Sequence, residues 1–173
     1  MRLSSPATRR AKALRAGLFV AALAGVAALV AATLTTVIRI TVGTTTRLAN
    51  LDAELSGWDR HGPALLVVAG FAVVMLPGAL RGARPAMMAV LVCGAAALAI
   101  ALALDVPHLD DTGQVGELYS NASAGPQVGF WLEACGGALL VVAGGGLLAA
   151  TGRRTRGRAP RTAASPAVDG GGS

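Results

Sequence analysis

The chain has 173 residues, of which 54% are hydrophobic, 14% charged and only 3% aromatic, with a mean hydropathy of +0.61. A soluble domain carries about 25% charge and builds its core from large side chains, so this composition counts against a water-soluble globule and for lipid, where helices meet through small residues. The net charge of +6 would suit nucleic acid, but the basic residues flank apolar runs, so no nucleic-acid partner is expected.

Residues 1–15 carry Arg2, Arg9, Arg10, Lys12 and Arg15 and no acid. The uncharged run 16–38 follows. As a helix it measures about 34 Å, enough to cross the hydrocarbon core. A signal peptide shares this layout, but the run is long for an h-region and ends in Thr33-Leu34-Thr35-Thr36 rather than a small-residue cleavage site, so an uncleaved span is expected. Residues 39–62 form a neutral outer loop, whose Thr-rich start either continues the helix or forms an extended piece. Asn50 is placed to cap a short helix over Leu51 to Leu55. Trp58 stands where an interfacial aromatic anchors the next span.

The second span is 63–80. Pro63 suits a first helical position, and Pro77-Gly78 predicts a kink or early end. The tight basic link Arg81-Gly82-Ala83-Arg84 leads to a third span over 85–104. Residues 105–127 are read as a second outer loop, with Asp105, Asp110, Asp111 and Glu117, a short surface helix over Thr112 to Tyr119, and a turn at Gly125-Pro126. The fourth span is 128–152. A basic tail with Arg153, Arg154, Arg156, Arg158 and Arg161 follows, then a disordered end.

Twelve Lys and Arg fall on the side of the two tails and the short link, against three on the long loops. The positive-inside rule therefore places both termini in the cytoplasm. The fold class is an all-α membrane protein, a four-transmembrane-helix bundle of the cell inner (plasma) membrane, in contact with the lipid bilayer. Small residues at four- and seven-residue spacing mark the packing faces: Gly17, Ala21 and Gly25, or Ala24, Ala28, Ala32 and Thr36, on the first span; Ala89, Cys93, Ala97 and Ala101 on the third; Gly129, Gly136, Ala143, Gly137 and Gly144 on the fourth.

Glu133 is the one carboxylate inside a predicted span, about 7.5 Å from its start. On a helical wheel it lies within about 60° of Gly136, Leu140 and Gly144, while Trp131 points the other way as a second interfacial anchor. Its expected partner is Arg39 at the outer end of the first span, an intramembrane ion pair; the alternatives are Arg60, bonds to backbone groups, a proton or ligand site in the outer mouth of the bundle, or snorkelling to water with no role. His61 and His108 lack any HxH, HExxH or HxxxH spacing and read as solvated loop histidines, so no metal site is expected. Cys93 and Cys135 read as small buried residues, with Cys135 off the Glu133 face. No catalytic set and no cofactor motif is visible.

The runs Ser56-Gly57-Trp58-Asp59-Arg60-His61-Gly62-Pro63 and Gly129-Phe130-Trp131-Leu132-Glu133 give the membrane core a layout that resembles the uncharacterised small four-span integral membrane proteins of GC-rich actinobacteria. That resemblance implies no activity. The expected function is a non-enzymatic accessory, scaffold or interaction protein that meets a membrane or envelope protein through its outer loops. The alternative is a small transporter or channel subunit with Glu133 in its mouth, in which four thin helices need a homo-oligomer to form a pore.

Overall fold

The computed structural model describes residues 6–42, 53–56, 58, 61–108 and 122–156. Four helices dominate: α1 (Pro6–Leu34), α2 (Ala64–Arg81), α3 (Arg84–Ala99, continued by a π-helical turn at Ile100–Asp105 and a 3₁₀ turn at Val106–His108) and α4 (Val128–Arg156). Segments long and apolar enough to cross a membrane run over Arg9–Leu34, Ala64–Arg81, Arg84–Asp105 and Val128–Gly152. The four-span bundle read from the sequence is therefore present.

The helices pack as a square, α1 against α4, α4 against α3, α3 against α2 and α2 against α1. Their buried positions repeat at three and four residues: Ala22, Gly25, Leu29 and Ala32 on α1; Leu65, Ala69, Ala72, Leu76 and Ala79 on α2; Val90, Cys93, Gly94, Ala97 and Ala101 on α3. Large apolar side chains such as Val20, Val67, Phe71, Val74, Val92 and Val142 point outward, the pattern of a surface solvated by lipid tails.

Glycine sets the spacing around α4. A Cβ on Gly136 would lie 2.9 Å from the Gly25 carbonyl oxygen, and one on Gly25 would lie 2.8 Å from the Gly136 carbonyl oxygen. The next residue serves a different neighbour: Gly137 and Gly94 meet the same way, at 3.0 and 2.7 Å. Only residues without a side chain let backbones approach this closely, and such contact replaces the hydrophobic drive that lipid removes. The expected stripe on α4 is thus the buried one. On α1 the seam differs from both expected stripes: Gly17 and Ala24 are exposed, and of the two sets only Gly25 and Ala32 are fully buried.

The connections at the end opposite the α2–α3 link hold three strands, β1 (Thr36–Val42), β2 (Ala53–Ser56) and β3 (Ala122–Pro126), antiparallel in the order β2-β1-β3. They correct three expectations. The first helix stops at Leu34 rather than residue 38, because Thr36-Val37-Ile38-Arg39-Ile40-Thr41-Val42 is β-branched at every position but Arg39, and such side chains favour the pleated form. The helix expected over Leu51 to Leu55 is replaced, over its described part, by β2. The expected turn at Gly125-Pro126 is the end of β3, where Pro126 stands opposite Ile38 on an outer strand, a position that tolerates a missing N–H. The surface helix expected over Thr112 to Tyr119 and the disordered tail lie outside the described residues.

Pro77 sits inside α2 without ending it. The helix stops at Gly82, whose φ of 95° is left-handed; Gly82 N–H donates to Ala79 O at 3.1 Å and Ala83 N–H to Gly78 O at 3.0 Å. That is a Schellman close. It turns the chain within two residues and brings Arg81 and Arg84 to the same end of the bundle as the start of α1 and the end of α4.

Two outcomes test this packing. Gly94→Ala places its methyl 2.6 Å from Val141 N, so thermal melting in detergent should show a loss of about 1–3 kcal/mol, whereas Gly17→Ala, with nothing within 4 Å, should leave the midpoint unchanged. Gly82→Ala should cost about 1 kcal/mol in the same assay, because alanine resists a positive φ.

Candidate functional site

Among the described residues, the buried carboxylates and the histidine beside them collect at the sheet-bearing end. The first is Glu133, fully buried on α4, where the glycine stripe turns it inward. The second is Asp105, also fully buried. It is the last residue of the π turn and not the first residue of an outer loop, as the change from apolar to charged sequence implied. The π turn accounts for its direction. In an α-helix four residues overshoot one turn by about 40°, so an inward face drifts sideways; in the wider π turn, with about 4.4 residues per turn, four residues fall about 33° short and set back most of one such step. Asp105 accordingly faces the core.

The third is His61. It is helical; beside it Gly62 N–H donates to Trp58 O at 2.8 Å, and Gly62 takes a φ of 55° before Pro63. This sharp entry turns the imidazole back over the bundle. Its side chain is only 6% exposed, so the reading of His61 as a solvated loop residue is corrected. The side chain of His108 lies outside the described residues.

The three groups meet. His61 Nε2 lies 3.1 Å from Asp105 Oδ2 and 3.7 Å from Glu133 Oε2, and one donor atom from each residue falls within 4.8 Å of the others. The shorter contact is a hydrogen bond: with Asp105 ionised, Nε2 carries the hydrogen and donates. The longer one is an electrostatic contact beyond hydrogen-bond range. One imidazole thus faces two buried carboxylates, each supplied by a different helix. Such a site holds a proton, exchanges one, or takes up a cation.

Arg39, the expected partner of Glu133, is on β1, exposed, and opposite Glu54 in the strand register. Thr36 lies abreast of Gly129, one helical turn from Glu133 along α4 and three strand residues from Arg39 along β1. Arg39 instead borders an open concavity of about 410 Å³ between sheet and bundle, with Leu34, Thr35, Thr36, Gln127 and Val128. Trp58 and Trp131 are both exposed, and the Trp131 ring meets buried Phe130 edge-on, with centroids 5.3 Å apart. Cys93 is buried on α3 and Cys135 exposed on α4, both as free thiols.

Asp105 had a signal in the sequence. The stripe Ala89, Cys93, Ala97, Ala101 continues in fours to Asp105. His61 had none, because motif spacings describe ligands on one element and here the three come from three.

A double-mutant cycle separates the two partners of Glu133. His61→Ala should destabilise the detergent-purified protein by about 3–5 kcal/mol, because it strips the imidazole from two buried carboxylates, and Glu133→Gln should recover part of that loss. Arg39→Ala should combine additively with Glu133→Gln, within about 0.5 kcal/mol; coupling to Arg39 and not to His61 would reverse the assignment. Comparison with protein-family models, with curated proteins and with solved structures finds no match to this chain.

Proposed function

We propose that this chain is a multi-pass plasma-membrane protein of the accessory or interaction kind, with its basic ends in the cytoplasm and its sheet outside, acting through that outer end on a membrane or envelope protein. The observation that supports this reading most directly is the contrast along the bundle axis. Below the His61 level the interior is closed by Leu140, Ala143, Val90, Cys93, Ala97 and Ala72, all buried and apolar, with backbones in contact at Gly136 and Gly137. Among the described residues, no buried polar side chain lines a path across the mid-bundle. The buried carboxylates and the irregular backbone are concentrated at the sheet-bearing end, and the positive-inside distribution favours that end as the outside.

A second reading, a proton- or ion-coupled transport subunit, draws on the buried Asp105 and Glu133. Ionisable groups at membrane depth commonly mark ion pathways.

Topology comes first. In a Cys93→Ala, Cys135→Ala background, Asn50→Cys should react with a membrane-impermeant maleimide in intact cells and Thr162→Cys only after lysis; the opposite pattern overturns the orientation. Proximity labelling from a tag in the outer loop, compared with the same tag on the C-terminal tail, should enrich one reproducible neighbour for the outer tag alone. Equal labelling from both sides removes the interaction reading. Proton-coupled uptake into proteoliposomes that is lost in Glu133→Gln selects transport instead.

A further inference from the structure

We propose that His61, Asp105 and Glu133 are the protein ligands of one divalent transition-metal ion, of the Zn²⁺ or Mn²⁺ class, bound inside the outer end of the bundle. The proposal is independent of what the outer loops engage.

The donor set is the first argument. One imidazole nitrogen and two carboxylates are ordinary ligands for zinc and manganese. The nitrogen weighs against Mg²⁺ and Ca²⁺, which prefer all-oxygen shells. Three protein ligands on a first-row ion leave one or more positions for water or an outside ligand.

Geometry is the second. Metal–ligand bonds of about 2.0–2.2 Å put neighbouring ligand atoms about 3.0–3.5 Å apart. The observed separations from His61 Nε2 are 3.1 and 3.7 Å, and all three donor atoms lie within 4.8 Å of one another. Closing the widest gap needs a carboxylate movement on the order of 1.5 Å, within the reach of a Glu rotamer adjustment. The ion would displace the hydrogen on His61 Nε2, leaving Nδ1 to carry it, the usual protonation of a metal-bound imidazole.

Charge is the third. With a neutral imidazole, the three groups together carry two negative charges, and both carboxylates are fully buried. A divalent cation matches that charge in place, whereas an imidazolium matches half.

Topology is the fourth. The ligands come from the entrance of α2, the π-helical exit of α3 and the second turn of α4. Local backbone features direct two of them: the positive φ at Gly62 and the π turn at Ile100–Asp105. π turns recur at functional sites because they redirect a side chain without ending a helix. A bound ion would fasten three helices at the end where the short outer strands give the least packing.

The test uses the full chain in detergent, stripped with a chelator and given Zn²⁺, Mn²⁺, Co²⁺, Mg²⁺ or Ca²⁺ singly. After desalting, elemental analysis should find one Zn²⁺ per chain, and Co²⁺ should develop a visible d–d spectrum that Zn²⁺ abolishes. The melting midpoint should rise by several degrees with saturating Zn²⁺ or Mn²⁺ and stay unchanged with Mg²⁺ or Ca²⁺. Asp105→Asn and Glu133→Gln should each weaken Co²⁺ binding at least about tenfold. Should a variant not elute as a monodisperse species, the wild-type Co²⁺ spectrum and midpoint shift decide alone: their absence overturns the proposal and leaves a hydrogen-bonded His–carboxylate cluster. Binding that persists unchanged in a folded His61→Gln, Asp105→Asn, Glu133→Gln variant also overturns it, by assigning the ion to the outer-loop acids.

Discussion

Backbone contact along α4 is the constraint on which the rest of the bundle depends. Lipid tails are as apolar as leucine, so burying leucine between helices gains little over leaving it in the membrane. Close approach gains dispersion and weak Cα–H···O contacts, and glycine permits it. Gly136 and Gly137 are adjacent in sequence and point to different neighbours, Gly25 on α1 and Gly94 on α3. Two successive residues about 100° apart on one helix thereby set two interhelical distances and fix α4 as the common partner.

That arrangement also positions the site. Glu133 lies three residues from Gly136, on the same face. Where α4 is drawn against α1 and α3, its first carboxylate is drawn into the interior at the level where α3 ends and α2 begins. The π turn at Ile100–Asp105 and the left-handed Gly62 then supply the two remaining groups. Burial of a carboxylate pair and a histidine accompanies the close packing of small residues one turn away, at the end of the apolar core. The sheet continues the same logic outward: Gln127 N–H donates to Val37 O at 2.9 Å, tying β1 to the entrance of α4.

The spans were legible in the sequence because membrane partition is nearly additive along a segment: about twenty apolar residues report themselves without reference to the rest of the chain. The face of α4 was legible for a similar reason, since the helical period maps spacing onto direction. Arg39 was placed beside Glu133 from a first helix taken to run through residue 38. Once Thr36 to Val42 pairs as a strand, Arg39 is carried outward into the sheet, opposite Glu54. β1 was hidden because its apolar start was counted into the first span; β2 and β3 are short, and β3, Ala122-Ser123-Ala124-Gly125-Pro126, has almost no intrinsic preference for extension, so pairing with β1 makes it a strand.

The sequence by itself determined a four-span membrane protein, the inward face of α4 and the presence of a carboxylate on it, because hydropathy and helical periodicity are properties of one segment at a time. Tertiary structure alone decided that His61, Asp105 and Glu133 share one buried site. They stand 44 and 28 residues apart along the chain, on three elements, and only the packing of α2, α3 and α4 around the glycine contacts brings their side chains within reach of a single ion.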